Sequence, residues 1–441
     1  MKKRGVLIAW MVILGLFVGC VALLVAFKDE SEASYDLYGL PILEVDLSGT
    51  TLAEINENEK SIKYNGNSVI FYDGSEMSYY EGVTIKGRGN FTWTQNKKPY
   101  QIDLNQKVDL LGLGKRSKWV LLANSVDASN LRNDLAFYLA RMVGEEFALN
   151  GEPVEVVVDG ANLGLYYMTP KIEVGKNSVD LRNEMGVIME LDNYNDVRDQ
   201  EFCYLSVDGN CFIVNDTVDK DNSVAAAEEF MAAYNEFEAA AKASDYEKVQ
   251  SLVDVESFVR YFLISEFTVN PDAYVTSWHM YKDGAGDKIH AGPAWDFDLA
   301  FGNELWQEWT TEDGGKYYSN LPRRAEAFGG EYVDENGEIR WAEGNKVIAR
   351  TMYYLLDMPE FYNEVKRVYA EKMAGRKSEV LAYLTWRADN IYVAATENNA
   401  VWEQEKFDTA VEFLYNFIAQ RYDFFDTIYG DGKTEKIVQE L

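Results

Sequence analysis

The segment Gly292 to Asn303, GPAWDFDLAFGN, places two aspartates, Asp296 and Asp298, two positions apart in an otherwise apolar run. In a strand, residues two apart point to the same side of the sheet, so the two carboxylates would project together. Two like charges on one buried face repel each other and are costly to desolvate unless a cation compensates them. The pattern therefore predicts a divalent metal site. The alternative is that one acid caps a helix or turn and the other pairs with an arginine.

A third aspartate, Asp272, lies upstream of this pair. It follows the helical pattern VESFVRYFLISEF and the dipeptide Asn270-Pro271, which turns the chain out of the helix into a loop. A hairpin centred on residues 283–287 then separates it from Asp296. Protein kinases carry in this order the acid that orients the attacking hydroxyl and the acid that holds Mg²⁺ on the nucleotide phosphates. The order therefore favours a phosphoryl-transfer site.

The elements around these acids predict an α+β fold with two lobes, like that of a protein kinase. Residues 40–170 carry short alternating runs between Gly and Asn turns, which predict an antiparallel, β-rich N-lobe with one helix that stops at Gly144. Residues 171–430 show helical spacing of large apolar residues, which predicts a mainly helical C-lobe that contains the catalytic hairpin. Residues 431–441 are predicted to form a flexible tail.

The first 27 residues predict one transmembrane helix. The uncharged run from Val6 to Phe27 is long enough, at ~1.5 Å per helical residue, to cross a ~30 Å hydrocarbon core. The bases Lys2, Lys3 and Arg4 predict that this end stays cytoplasmic and that the main domain, beyond a polar linker at 28–39, is extracellular. Gly19-Cys20 leaves a lipid-anchored lipoprotein as the alternative.

Composition and cysteine usage limit the partners. A formal net charge of −31, from 73 acids and 42 bases, argues against a nucleic-acid partner, because phosphate binding needs a basic surface. Outside the membrane, Cys203 and Cys211 could form a disulfide or stay free thiols, and the spacing leaves both open. The segment from Asp192 to Asp196 lacks the spacing of a calcium-binding loop, so a solvated acidic loop is preferred to a calcium site through Asp192, Asn193, Asn195 and Asp196.

Five segments together carry a resemblance to a known family: IKGRGNFTW, KKPYQIDL, LLGLGKRSKWVLLANSVDASNLRNDLAFYLARMVG, VEVVVDGANLGLYYM and GPAWDFDLAFGN. They resemble the CotH kinase family of spore-coat-type atypical kinases, and the resemblance extends from about Leu40 to Asn303. It implies a kinase-like fold, ATP with Mg²⁺ or Mn²⁺, and transfer to hydroxyl side chains of a protein at the cell surface or of the chain itself. By position, Asp272 looks like the catalytic acid and Asp296 like the metal ligand, with Asp298 in support.

Three further residues are candidates for nucleotide binding. The GRGN turn would place Arg88 and Asn90 where a glycine-rich loop faces phosphate, although an ordinary hairpin turn gives the same pattern. Lys98 is the candidate phosphate lysine, with Lys97 as its rival and a solvated pair as the alternative. Arg132, on the predicted helix, would either pair with an acid across the cleft or lie on the helix surface.

Two departures from the kinase pattern keep other functions open. Ser277 stands where kinases carry the asparagine that is a second metal ligand, and Pro170 stands where many relatives carry a glutamate. One alternative is therefore a surface binding or adhesion protein that keeps the kinase shape with weak or no transfer. Another is a hydrolase with two metals at Asp296 and Asp298. It would need further ligands, and the chain has only His279 and His290 as histidines.

Overall fold

The computed structural model describes residues 38–193, 203–303 and 349–430, together with the backbone of two short strands at 331–333 and 339–341. Within these ranges, none of the helices combines the length and the apolar character that crossing a bilayer requires. The anchor predicted at 1–27, most of the linker predicted at 28–39 and the tail predicted at 431–441 lie outside the described residues. Those three assignments stay predictions.

The N-terminal part is a seven-stranded barrel rather than an open sheet. Its strands are β1 (Ile42–Leu47), β2 (Tyr64–Tyr72), β3 (Met77–Gly87), β4 (Tyr100–Asp109), β5 (Lys115–Leu122), β6 (Glu152–Val158) and β7 (Ala161–Pro170). They lie in the order β1-β2-β3-β4-β5-β7-β6, with antiparallel pairs throughout except that β6 pairs with β1 in parallel. Alternating apolar residues fill the interior, among them Val45, Ile85, Ile102, Trp119 and Val156. The parallel pair closes the barrel and leaves it no open edge.

Two helices belong to the barrel region. Helix α1 (Leu52–Glu57) begins with a capping box formed by Thr51 and Glu54. Helix α2 (Arg132–Val143) ends at Gly144, whose φ of 85° is left-handed, as the sequence predicts. Its first N–H group, that of Arg132, donates to the Asp127 carboxylate at 3.0 Å. Asp127 therefore supports the start of this helix from the preceding turn.

The C-terminal part is built on a second sheet, which the sequence analysis did not predict beyond one hairpin. Its five strands are β8 (Gly186–Leu191), β9 (Tyr204–Leu205), β10 (Cys211–Thr217), β11 (Trp278–Asp283) and β12 (His290–Ala291), in the order β12-β11-β8-β10-β9. Strand β8 is a short buried apolar run, and such a run does not show whether it is helix or strand. Two further strands, β13 (Glu331–Val333) and β14 (Ile339–Trp341), form an antiparallel pair.

Helices surround this second sheet and share one hydrophobic core with it and with α2. They are α3 (Ser223–Lys242), α4 (Tyr246–Leu252), α5 (Val255–Thr268), α6 (Thr351–Leu356), α7 (Pro359–Lys372), α8 (Lys377–Val401) and α9 (Phe407–Tyr429). The barrel interior forms a separate core. The mixed α+β character and the division into a β-rich first part and a more helical second part therefore agree with the prediction.

The cysteine pair that the sequence left open is a disulfide. Cys203 and Cys211 are bonded across the β9–β10 hairpin. The backbone carbonyl of Cys211 accepts the N–H of Asp192 at 3.0 Å, so the bridged hairpin adjoins the end of β8.

Candidate active site

A cleft of about 820 Å³ lies between the barrel and the second sheet. Five of the six candidate residues from the sequence line it, namely Arg88, Asn90, Asp272, Asp296 and Asp298. Its barrel side includes the turn after β3 and part of β5, and its other side includes residues of β8, β10 and β11. Residues that are more than 200 positions apart in the chain therefore share one crevice.

Asp272 is held in its loop by its neighbour Asn270. The Asn270 side-chain oxygen accepts the N–H of Asp272 at 3.0 Å, and its amide nitrogen donates to the carbonyl of Asp296 at 3.2 Å. Helix α5 ends at Thr268, before Pro271, as the sequence predicts. One buried amide therefore ties the loop that carries Asp272 to the segment that carries Asp296.

The segment that carries Asp296 and Asp298 is a loop, so the prediction of a strand there is wrong. Strand β12 ends at Ala291, and Asp296 has a left-handed φ of 69°, which breaks the strand alternation. The side-chain oxygen of Asn133 accepts the N–H of Phe297 at 2.9 Å, and the Ser277 hydroxyl donates to the Asp296 carboxylate at 3.1 Å. These contacts hold a conformation that is costly for a residue other than glycine. We refer to residues 292–303 as the metal loop.

Burial raises the cost of ionising both carboxylates of the metal loop, and the charge of Asp296 raises it further for Asp298. Burial raises the pKa of Asp298 well above its usual range, and the charges of Asp296, Asp272 and Asp127 add to this. Burial also raises the pKa of Asp296, while Arg88 and the Ser277 hydroxyl act in the opposite direction. A nearby cation would relieve this repulsion, as expected for a divalent metal site.

The donor set suits a metal ion that is shared with phosphate. No three His, Cys, Asp or Glu side chains among the described residues already form a group that could hold a metal ion. Mg²⁺ is commonly bound through only one or two carboxylates, and substrate phosphates and water supply its other oxygen ligands. Asp296 and Asp298 fit that role as a pair of hard oxygen donors, and the described part of the chain supplies no complete protein cage.

Arg88 and Asn90 lie on a tight turn at the cleft. Gly89 has a φ of +76°, and a Cβ there would lie 2.1 Å from the Thr92 hydroxyl, so the turn requires glycine. The Arg88 guanidinium stacks over the Trp295 ring at 4.9 Å, and Asp296 is among the carboxylates that act on it. The side-chain oxygen of Asn90 accepts a hydrogen bond from the Lys60 ammonium. Lys60 also lines the cleft, and the sequence did not predict it as a site residue.

The structure does not bring Lys98 to the cleft. Its ammonium turns back to donate to the carbonyls of Trp93 at 2.6 Å and Gln95 at 3.2 Å. Its rival, Lys97, is buried elsewhere and donates to the Asn398 side chain at 2.8 Å. Lysine in the cleft comes instead from Lys60 and Lys171, and Lys171 follows the last residue of β7 directly.

Comparison with known proteins identifies the family of the chain. A family model described as CotH kinase protein matches residues 85–425, which is more than half of the chain. The chain belongs to the CotH kinase protein family. A search of the curated proteins finds no match for this CotH kinase-like chain. Among solved structures it is similar to the Helicobacter pylori proinflammatory kinase CtkA, at 10% identity and a TM-score of 0.22, over 85% of this chain and 97% of that one. A likeness this weak carries no further argument.

In this member of the CotH kinase family, the sequence did not predict two further acids that line the cleft. Glu190, on β8, and Asp192, just after it, both line the cleft. Asp192 accepts a hydrogen bond from the Thr276 hydroxyl at 2.8 Å, and of the other calcium candidates only Asn193 is described. The side-chain oxygen of Asn193 accepts the N–H of Cys211. The sequence feature that could have predicted them is the two-residue spacing of Glu190 and Asp192 at the end of a buried apolar run. In a strand, this spacing places both side chains on the same face of the sheet.

The two histidines do not complete a two-metal centre. His279 lines the cleft, with its Nε2 atom 3.6 Å from the Glu190 carboxylate. Burial lowers its pKa to about 3, so the ring stays neutral, which is the form that binds metals. His290 does not line the cleft and stacks on Tyr281, with ring centroids 4.9 Å apart. Among the described residues, no three His, Cys, Asp or Glu side chains form a ready metal-binding group. The hydrolase alternative would therefore depend on Glu190 and Asp192, which line the cleft with Asp296 and Asp298.

The remaining departures have local roles. The Ser277 hydroxyl binds the Asp296 carboxylate, so this residue supports the loop from the position where kinases carry a metal-binding asparagine. Pro170 is the last residue of β7 and pairs with Trp119 in β5. The acid that Arg132 pairs with is Asp127, five residues earlier, rather than an acid across the cleft.

Glu190 gives the cleft a measurable dependence on pH. Burial, then Asp192 and Asp296, raises the pKa of Glu190 from 4.5 to about 7. A raised carboxyl pKa favours folding at low pH, and that contribution is lost as the pH rises through 7 because a buried charge forms. Glu190→Gln carries no such charge, so raising the pH should destabilise the wild type more than the variant. Between about pH 5 and about pH 8, the free energy of unfolding of Glu190→Gln should rise relative to that of the wild type by on the order of 3 kcal/mol. Thermal unfolding without divalent ion or nucleotide measures this.

A matched substitution controls for the loss of one acidic charge. Glu228 lies on an exposed face of α3, so Glu228→Gln should leave the pH dependence as it is in the wild type. The assignment would be wrong if Glu190→Gln shifted the unfolding temperature equally at both pH values.

Proposed function

We propose that this chain transfers the γ-phosphoryl group of ATP to a hydroxyl side chain of a protein. The observation that carries the proposal is the convergence of Arg88, Asn90, Asp272, Asp296 and Asp298 on one cleft. The cleft volume of about 820 Å³ falls in the range of small-molecule and cofactor sites. Membership of the CotH kinase family is the second support.

Each of these cleft residues has a separate role in phosphoryl transfer. Asp272 orients the acceptor hydroxyl and accepts its proton, as the base aspartate of a kinase does. Asp296 and Asp298 would hold Mg²⁺ or Mn²⁺, which when bound neutralises charge on the nucleotide phosphates. Arg88 and Asn90 face the phosphates from the tight turn, and Lys60 and Lys171 add positive charge to the same cleft.

The setting of the reaction follows from the N-terminus. The uncharged run within residues 1–27 would anchor the protein in the cell membrane and leave the catalytic part outside. The acceptor is then a protein at the cell surface or the chain itself. The disulfide between Cys203 and Cys211 supports this setting, since disulfides persist in oxidising compartments.

Incubation of the full-length chain with labelled ATP and Mg²⁺ or Mn²⁺ tests the proposal. We expect label on hydroxyl residues of the chain or of an added protein mixture, and none with EDTA. Stabilisation against thermal unfolding by ATP, measured with and without the ion, tests binding separately. A chain that shows neither binding nor transfer would fit the adhesion alternative and contradict the proposal.

A further inference from the structure

Helix α2 contacts the metal loop from the first turn of the helix to the residues just beyond its end. At its start, the Arg132 guanidinium donates to the carbonyl of Ala300 at 3.0 Å, and Asn133 accepts the N–H of Phe297 at 2.9 Å. Further along, the Phe137 ring stacks on Trp295 with centroids 5.9 Å apart. Just beyond its end, the Glu145 carboxylate accepts the N–H of Ala294 at 2.9 Å. The position of this helix therefore sets the position of Asp296 and Asp298.

The next residue of the same helical turn, Asp134, faces away from the metal loop. Its carboxylate accepts hydrogen bonds from the hydroxyls of Tyr167 at 2.9 Å and Tyr383 at 2.8 Å. The Arg387 guanidinium lies 2.7 Å from its second oxygen. Asp134 is only 2% exposed. Its partners come from the barrel and from α8, and the α8 partners lie more than 200 residues away in sequence.

Arg387 also binds the barrel directly. Its Nη1 group donates to the Glu152 carboxylate in β6 at 2.7 Å, and its guanidinium stacks over Trp386 at 4.7 Å. One α8 residue thus joins the helix that carries the metal-loop contacts to the barrel wall. The rings of Tyr138 and Tyr383, 3.9 Å apart and nearly parallel, add a second contact between α2 and α8.

We propose that Arg387 and Asp134 are positioning residues for phosphoryl transfer, through which α8 holds α2 and, by way of Asn133, the metal loop. Removing one partner of a buried ion pair leaves the other charge uncompensated, so the helix turn cannot keep its place unchanged. A displacement of about 1 Å at a reacting centre can lower the rate about a hundredfold. The effect on transfer rests on the function proposed above, whereas the link between α8 and the metal loop does not.

The test compares Arg387→Met with Arg367→Met in the full-length chain. Arg367, on α7, pairs with Glu364, Glu371 and, on α5, Glu256, and its side chain is 39% exposed. None of these three acids lies on α2 or on the metal loop. Hydrogen–deuterium exchange of residues 292–303 should be about tenfold faster in Arg387→Met and unchanged in Arg367→Met. The concentration of Mn²⁺ needed for half-maximal transfer should rise about tenfold in Arg387→Met alone.

Milder variants keep the proposal testable if Arg387→Met does not fold. Arg387→Lys keeps the charge with fewer donors and should restore part of the slow exchange and part of the metal affinity. Asp134→Asn keeps the shape and should resemble Arg387→Met, and the double variant should be little worse than either single one. Exchange of residues 359–372 on α7 serves as the internal reference for general loosening.

The outcomes separate this inference from the proposed function. If the wild type transfers no phosphate but the variants still show faster exchange in the metal loop, the link between α8 and the metal loop holds and the proposed enzymatic function does not. Normal exchange in the metal loop of folded Arg387→Met and Asp134→Asn would overturn the link, whatever the activity. Loss of transfer without a change in exchange or in metal requirement would overturn the positioning role.

Discussion

Replacing Asp296 with asparagine is expected to abolish phosphate transfer while the protein stays folded. Asparagine keeps the shape, and its side-chain oxygen still accepts the Ser277 hydroxyl, but one of the two metal-binding charges is lost. Metal stabilisation of a transition state is worth several kcal/mol, so the rate should fall about a thousandfold or more. Transfer of label from ATP at saturating Mg²⁺ or Mn²⁺ measures this loss.

Stability provides a second, opposite signature for the same substitution. Asp296 raises the pKa of buried Asp298, so in the absence of metal the substitution removes a repulsion between like charges. Without divalent ion, Asp296→Asn should therefore unfold at the same temperature as the wild type or higher. Asp423→Asn is the matched control, because Asp423 is 70% exposed and pairs with Lys377 far from the metal loop. Transfer that survives in Asp296→Asn would remove the assignment.

Asp272→Asn is expected to lower the turnover rate by about a hundredfold to ten-thousandfold, the range for loss of a general base. The backbone N–H of residue 272 would still be held by Asn270, so the loop should keep its path. The affinity for ATP and metal should change little, because in our assignment Asp272 faces the acceptor hydroxyl. Rates at saturating ATP, with nucleotide affinity from metal-dependent thermal stabilisation, separate the two quantities.

The two aspartate variants together test the division of roles. Asp272→Asn should keep the stabilisation by ATP with Mg²⁺ and lose transfer, whereas Asp296→Asn should lose both. If both variants lost stabilisation to the same extent, Asp272 would belong with the metal ligands. Full transfer activity in Asp272→Asn would contradict its role as the base.

Local sequence features predicted the turns and loops that carry five of the residues lining the cleft. Proline at 271 places Asp272 beyond the end of a helix, and glycine at 89 and at 144 marks a tight turn and a helix end. These signals act within a few residues, so they can be read from one segment at a time. The apolar alternation of residues 40–170 likewise indicated the strands of the barrel.

Other features depend on contacts between distant segments. The left-handed conformation of Asp296 is supported by the bond from the next N–H group, that of Phe297, to Asn133, 164 residues before Phe297. Nothing in the local pattern distinguishes this segment from a strand. The side chain of Lys98 turns towards Trp93, a choice made by packing around the turn. The parallel pairing of β6 with β1 closes the barrel over more than 100 residues of chain. Sequence periodicity contains no signal for such pairings.

The return of α8 to the barrel affects how the protein is made. Asp134 and its partner Tyr383 are separated by 249 residues, and Arg387 follows Tyr383. At synthesis rates of about 5–20 residues per second, the barrel and α2 leave the ribosome tens of seconds before the residues that secure them. A nascent chain therefore has its aspartates long before it has a finished cleft. A message truncated before the codon for residue 387 would yield a protein with every proposed catalytic group but without the Arg387 side chain that joins α2 to the barrel.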